Sequence, residues 1–126
     1  MTISEVSQRY NIPADTLRYY EKAGLIPPVH RTESGIRDYQ PEDCNWVEFI
    51  KCMRSAGLSI ETLQKYVALF QQGNQTLHAR KQLLLAERTR LQAQIKTMQA
   101  TLKRLNYKID VYDTKLKEYE QNLRAH

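Results

Sequence analysis

Arg18 and Tyr19 stand side by side in Thr16-Leu17-Arg18-Tyr19-Tyr20-Glu21, and Arg37 and Tyr39 alternate with Ile36 and Asp38 further on. A guanidinium pairs with phosphate or with a guanine edge, and a phenol reaches phosphate or base edges, so these residue types suit a nucleic-acid surface. Asp15 and Thr16 are placed to reach bases as well, with capping and solvation as the alternative for both. Tyr20 is a further candidate, although its spacing from Leu17 and Ala23 also suits a core residue. Arg31 and His30 are weaker candidates. A second chemistry centres on Cys52, in Ile50-Lys51-Cys52-Met53-Arg54, where the flanking cations would favour the reactive thiolate. A buried, inert small hydrophobe is the alternative. Cys44 lies near a helix start, but adjacent Asp43 opposes activation by the helix dipole. No nucleophile elbow, phosphate loop or pair of catalytic carboxylates can be read, so an enzyme is not expected. His30, His78 and His126 have no ligand spacing, and neither metal nor cofactor is expected.

These residues need elements to position them. Thr2-Ile3-Ser4-Glu5 fits a capping box and opens a short first helix that stops near Asn11. Pro13 has the fixed φ that suits a second helix start, and Gly24 suits its end. Two short helices joined by a tight turn form a helix-turn-helix outline. Pro27-Pro28 forbids helix. Val29-His30-Arg31 and Ile36-Arg37-Asp38-Tyr39 flank a Thr32-Glu33-Ser34-Gly35 turn and predict a small hairpin, with Arg37 and Tyr39 on one face. That face suits phosphate or minor-groove contact; a solvated hairpin is the alternative. Pro41-Glu42-Asp43 opens a third helix ending at Gly57, and Ser59 caps a fourth.

The 126 residues amount to one domain, or a small domain with an extension. The N-terminus is polar, no apolar run approaches the ~20 residues of a membrane helix, and Gly and Pro number four each. Cys44 and Cys52, if on one helix, lie ~12 Å apart, beyond the ~4.4–6.8 Å reach of a disulfide. The expectation is a helical, cytoplasmic protein in a reducing compartment, with no membrane partner. The net charge is +5, unevenly spread: residues 1–75 hold 8 Lys and Arg against 9 Asp and Glu, and residues 76–126 hold 11 against 5. Any nucleic-acid contact by the first half depends on where its cations stand, not on bulk charge.

After Asn74 the chain has no Gly or Pro. Leu77, Leu84, Leu91, Met98, Leu105, Tyr112 and Tyr119 recur every seven residues, and Ile95, Leu102, Ile109, Leu116 and Leu123 recur four later. With the first series as d and the second as a, the seam is unbroken from Leu91 to Leu123. Lys81 and Arg88 fill the a positions before it. So narrow a stripe over ~70 Å of helix cannot bury itself against the preceding residues. It needs a partner helix, most simply a second copy, with Leu84, Leu91, Ile95, Met98, Leu102, Leu105, Ile109, Tyr112 and Leu116 at the dimer seam. The expected division is a DNA-binding domain over 1–74 and a dimerisation helix over 75–126.

The series Thr16-Leu17-Arg18-Tyr19-Tyr20-Glu21, Gly24-Leu25-Ile26, Arg31, Gly35, Arg37 and Tyr39 resembles the MerR family of bacterial transcription regulators. The likeness continues through Met53-Arg54-Ser55-Ala56-Gly57-Leu58-Ser59-Ile60. Leu105-Asn106-Tyr107-Lys108-Ile109 with Tyr112 is similar to the short, aldehyde- and thiol-stress-responsive branch. The resemblance implies a mainly α fold: a winged helix-turn-helix, a second helix pair and a long helix forming an antiparallel coiled coil in a homodimer. It implies binding to double-stranded promoter DNA whose polymerase-recognition elements stand too far apart, and distortion that realigns them for RNA polymerase. It also implies a thiol at the position of Cys52. Two departures are that Pro13 replaces the usual Ser or Thr cap, and that the usual Tyr near the N-terminus is absent.

The reading that follows is a transcription activator responding to electrophile or thiol stress. A repressor or small-ligand-responsive regulator without thiol chemistry is the rival within that class, and a coiled-coil protein-interaction adaptor is the rival outside it. Salt dependence separates the two classes, because DNA binding releases counterions and hydrophobic protein contact does not.

Overall fold

The computed structural model describes residues 1–125. Helix α1 (Ile3–Tyr10) begins at Thr2, whose Oγ1 accepts the Glu5 N–H while Glu5 accepts the Thr2 N–H at 2.9 Å, a closed capping box. Asn11 ends it in the left-handed region with φ 54°. Helix α2 (Ala14–Lys22) starts after Pro13 without a side-chain cap and ends before Gly24, which has φ 73°. Helix α3 (Pro41–Ser55) carries Pro at its first position. Helix α4 (Ile60–Gln72) is capped by Ser59 Oγ, which accepts the Thr62 N–H at 3.1 Å. A 3-10 turn, Asn74–Thr76, precedes α5 (Leu77–Ala125).

The wing between α2 and α3 departs from the expected hairpin. Its ladder shrinks to one antiparallel bridge, Arg31 to Arg37, with Thr32 N–H donating to Ile36 O at 2.8 Å and Asp38 N–H to His30 O at 2.7 Å. The flanking amides are claimed elsewhere. Val29 N–H donates to the Glu21 carboxylate at 2.7 Å, and Tyr39 N–H to Met1 O at 2.7 Å. The amides that would add cross-strand bonds are taken as well: His30 N–H and Gln40 N–H donate to Asp43 Oδ2 at 3.4 and 2.9 Å, and Ile36 N–H donates to Thr32 Oγ1 at 3.2 Å, so none is left to lengthen the ladder.

The core joins α1 through α4 and the wing. Val6 of α1, Leu17 and Tyr20 of α2, Leu25 and Ile26 after it, Tyr39 of the wing and Val47 and Ile50 of α3 belong to one buried cluster. The Tyr39 phenol is 2% exposed. The inward face of the wing is therefore apolar at Tyr39, while Ile36 faces out.

The chain forms two compact units, Met1–Glu87 and the residues from Arg88 onward. The first takes in the start of α5. Buried Thr76 donates from Oγ1 to Leu69 O at 2.6 Å and to Gly73 O at 2.7 Å, and it accepts from Arg80 Nε at 3.1 Å. The Arg80 guanidinium lies 5.4 Å from the centre of the Phe70 ring, and Thr62 donates to Glu87 at 3.2 Å. In the second unit the seam side chains are open to solvent: Met98 is 72% exposed, and Ile95, Leu102, Leu105, Ile109, Tyr112 and Leu116 are exposed with it. Among the described residues no helix is long and apolar enough to cross a membrane.

Asp43 anchors the wing to α3. It is buried, and its Oδ2 accepts the Gln40 N–H at 2.9 Å and lies 2.8 Å from His30 Nδ1; Glu42 lies 3.3 Å from His30 Nε2. The hydrogen bond to Asp43, and then its charge, hold the His30 pKa above the ordinary value, against a smaller effect of desolvation. A raised folded-state pKa stabilises the fold fully below the unfolded value of about 6.5 and ceases to do so as pH rises through the folded value. Denaturant midpoints of the protein and of His30→Gln are therefore expected to differ most at pH 6 and to converge toward pH 9. A difference that grows with pH would contradict the His30–Asp43 pair as the cause.

Candidate nucleic-acid interface

Helical spacing places Asp15, Arg18, Tyr19 and Lys22 along the side of α2 that faces away from buried Leu17 and Tyr20. The wing returns Arg31 and Arg37 to the same side. Together with Glu21 these residues line a groove of about 560 Å³ between α2 and the wing. Tyr19 is 47% exposed there. Four cations thus converge on one groove of a segment whose net charge over residues 1–75 is −1.

Each arginine has a partner of different strength. Arg18 Nη1 donates to Asp15 Oδ1 at 2.7 Å, with the Arg18 side chain 49% and the Asp15 side chain 97% exposed. So exposed a pair is worth about 0–1 kcal/mol, so phosphate can displace Asp15 at small cost. Arg37 Nε donates to Glu21 Oε1 at 2.8 Å, and Arg31 Nη2 lies 3.5 Å from the same oxygen. Arg31 Nη1 also donates to Gly35 O at 3.0 Å, closing the wing turn. The Glu21 side chain is only 12% exposed, and its second oxygen takes the Val29 N–H.

Of the candidates named from the sequence, Asp15, Arg18, Tyr19, Arg31 and Arg37 come together in this groove. Thr16 is half-buried on α2 outside it. Two candidates are corrected. Tyr20 and Tyr39 are core residues, because the α2 period and the inward side of the wing carry both into the apolar cluster. Burial is the first cause raising both phenol pKa values. His30 turns to Asp43 and Glu42 instead of the groove. Lys22 and Glu21 were missed. The four-residue spacing from Arg18 pointed to Lys22, whereas the role of Glu21 depends on wing residues that no local pattern brings near.

Cys52 is exposed and Cys44 buried. The cations beside Cys52 are engaged with backbone: Lys51 Nζ donates to the Tyr10 carbonyl, and Arg54 Nη1 to the Leu58 carbonyl at 2.7 Å. Neither cation is thus hydrogen-bonded to the thiol, which is open to solvent. Among the described residues no group of three or more His, Cys, Asp and Glu could hold a metal ion.

Known proteins share this arrangement. The family profile for MerR HTH family regulatory protein matches residues 1–69, and that for MerR, DNA binding matches residues 45–107. The HTH-type transcriptional regulator AdhR of Bacillus subtilis (strain 168) is 58% identical over 90 residues, 71% of this chain and 64% of the relative. An HTH-type regulator of Haemophilus influenzae is 30% identical over 82 residues, 65% of this chain and 61% of that relative. The chain thus matches less than two thirds of the length of either. A crystal structure of a MerR family transcriptional regulator from Listeria monocytogenes superposes with TM-score 0.93 at 49% identity, covering 98% of this chain and 94% of that one. HiNmlR, a MerR family regulator lacking the sensor domain and solved bound to promoter DNA, superposes with TM-score 0.82 at 28% identity over 90% of each chain. These proteins are regulators and not enzymes. With a family profile covering more than half of its residues and a helix-turn-helix beside a cationic wing, the chain belongs to the MerR family of transcriptional regulators.

Proposed function

We propose that this chain binds double-stranded promoter DNA as a cytoplasmic homodimer and activates transcription by distorting a promoter with an overlong spacer, realigning it for RNA polymerase in response to electrophile or thiol stress. The groove carries the DNA-binding part. Arg18, Lys22, Arg31 and Arg37 supply phosphate-pairing charge, and Tyr19 supplies a phenol beside them. The likeness to HiNmlR, solved bound to promoter DNA, supports DNA binding by a chain of this fold. Arg18→Ala is expected to weaken operator binding by about 1–3 kcal/mol while leaving the fold intact. A gel-shift titration at fixed salt, beside a circular-dichroism melt, checks this; unchanged affinity removes Arg18 from the interface.

The homodimer follows from the open seam of α5. Burying a Leu, Ile or Met side chain is worth about 1.5–3 kcal/mol, and the stripe from Ile95 to Leu123 offers an exposed Leu, Ile, Met or Tyr every three or four residues. Charge selects the orientation. In a parallel pair Lys81 meets Lys81 and Arg88 meets Arg88. In an antiparallel pair both approach the partner's end, where Asp113, Glu118 and Glu120 stand among Tyr112 and Tyr119. In a background without Cys44 and Cys52, Leu84→Cys is expected to cross-link to Tyr112→Cys or Leu116→Cys on the other chain. Efficient linkage between two Leu84→Cys chains and between two Leu116→Cys chains would instead establish a parallel coil.

The sensing part rests on the exposed Cys52 thiol. Cys52→Ser is expected to abolish any aldehyde- or electrophile-induced change in promoter output while DNA affinity is retained. Reporter transcription and gel shifts on the two proteins decide; a full response from the Ser variant removes this thiol from sensing.

A further inference from the structure

Glu21 is the one residue of the groove whose charge works against a polyanion and whose side chain cannot leave. Asp15, the other acid there, is almost wholly exposed and can swing away from phosphate. Glu21 is held by the Val29 N–H at 2.7 Å, by Arg37 Nε at 2.8 Å and by the charge of Arg31 at 3.5 Å. We infer that Glu21 determines DNA specificity: its carboxylate orients the wing arginines on α2 and sets a fixed negative charge among the groove cations, which weakens binding to arbitrary DNA more than binding to the operator.

The chemistry has two parts. Arg37 carries five N–H donors in a rigid plane. Once Nε is bound to Glu21, the plane is fixed and only the two terminal nitrogens remain for DNA. A free arginine would pair with whichever phosphate came near; an oriented one pairs well only where the backbone presents an oxygen in the matching direction. The second part is charge. Non-specific affinity comes almost entirely from neutralised phosphates and released counterions, so an anion beside those contacts lowers it directly. A cognate site whose backbone fits the oriented arginines recovers that loss through geometry. Glu21 is thus a positioning residue for Arg37 and Arg31, and through them a discriminator between sequences.

This inference rests on the DNA-binding reading, and the test separates the two. The operator probe is a duplex selected from a randomised pool by the wild-type dimer, and the competitor is a scrambled duplex of equal length. Wild-type protein that binds neither duplex overturns the reading itself. Given wild-type binding, Glu21→Gln keeps an acceptor for the Val29 N–H and removes the charge. It is expected to bind the scrambled duplex several-fold more tightly, to steepen the slope of log K against log salt by about one unit, and to lower the operator-to-scrambled ratio about tenfold. Equal loss on both duplexes, or an unchanged ratio, overturns the inference and leaves Glu21 as a residue of the fold. If Glu21→Gln does not fold, Glu21→Asp, which keeps the charge but shortens the reach, carries the test: the ratio is expected to fall at an unchanged salt slope. Retention of the ratio, or a uniform loss, again overturns the inference.

Discussion

Glu21 reaches from α2 to both edges of the wing, taking the backbone N–H of Val29 on one oxygen and the guanidinium of Arg37 on the other. With only one bridge in the wing, backbone pairing cannot fix its position, and side-chain carboxylates do so instead. Asp43 does the same from α3 through His30 and Gln40. At the base of the wing, the Met1 ammonium donates to Tyr39 O at 2.8 Å while Tyr39 N–H donates to Met1 O. Buried Tyr39 packs beneath these contacts, so the wing is pinned by a core residue as well as by charge. A carboxylate with little exposure is stable only when donors meet it: Glu21 has one on each oxygen, and Asp43 Oδ2 gathers the Gln40 N–H and the His30 ring.

The electrostatics of the first unit follow from this arrangement. A segment with net charge −1 over residues 1–75 still presents a cationic groove, because its acids are distributed by role. Glu5 and Asp43 serve helix starts, Glu21 is tied to the wing, and Asp15 sits at the solvent edge. What remains facing the groove is mostly arginine and lysine. Local field, set by placement, governs approach of a polyanion more than the sum of charges does.

The long helix poses a different constraint. Its first residues are secured by Thr76, Arg80 and Glu87 within the first unit, but its seam from Ile95 onward meets only solvent in a single chain. Exposed apolar side chains repeated every heptad are the signature of a surface completed by another helix. Of the two polar a positions, Lys81 lies within the first unit and Arg88 begins the second, so both precede the open apolar seam.

Features governed by neighbours in the chain are legible in the sequence itself. The capping box of Thr2 and Glu5, the Ser59 cap, the Gly24 stop and the heptads of α5 depend on spacings of a few residues, and the expected helices stand where those spacings put them. The groove candidates Asp15, Arg18, Tyr19, Arg31 and Arg37 were recognisable for the same reason, as residue types repeated at helix or strand spacing. Tyr20 and Tyr39 were not, since a tyrosine at the border of an amphipathic face suits either side until the opposing element is placed. Nor was Glu21, whose partners Val29 and Arg37 lie eight and sixteen residues away. The wing shrank to one bridge because the His30 and Gln40 amides, which would pair across it, donate to Asp43 of α3 instead, a competition decided by the packing of another helix against the wing and invisible in local pattern.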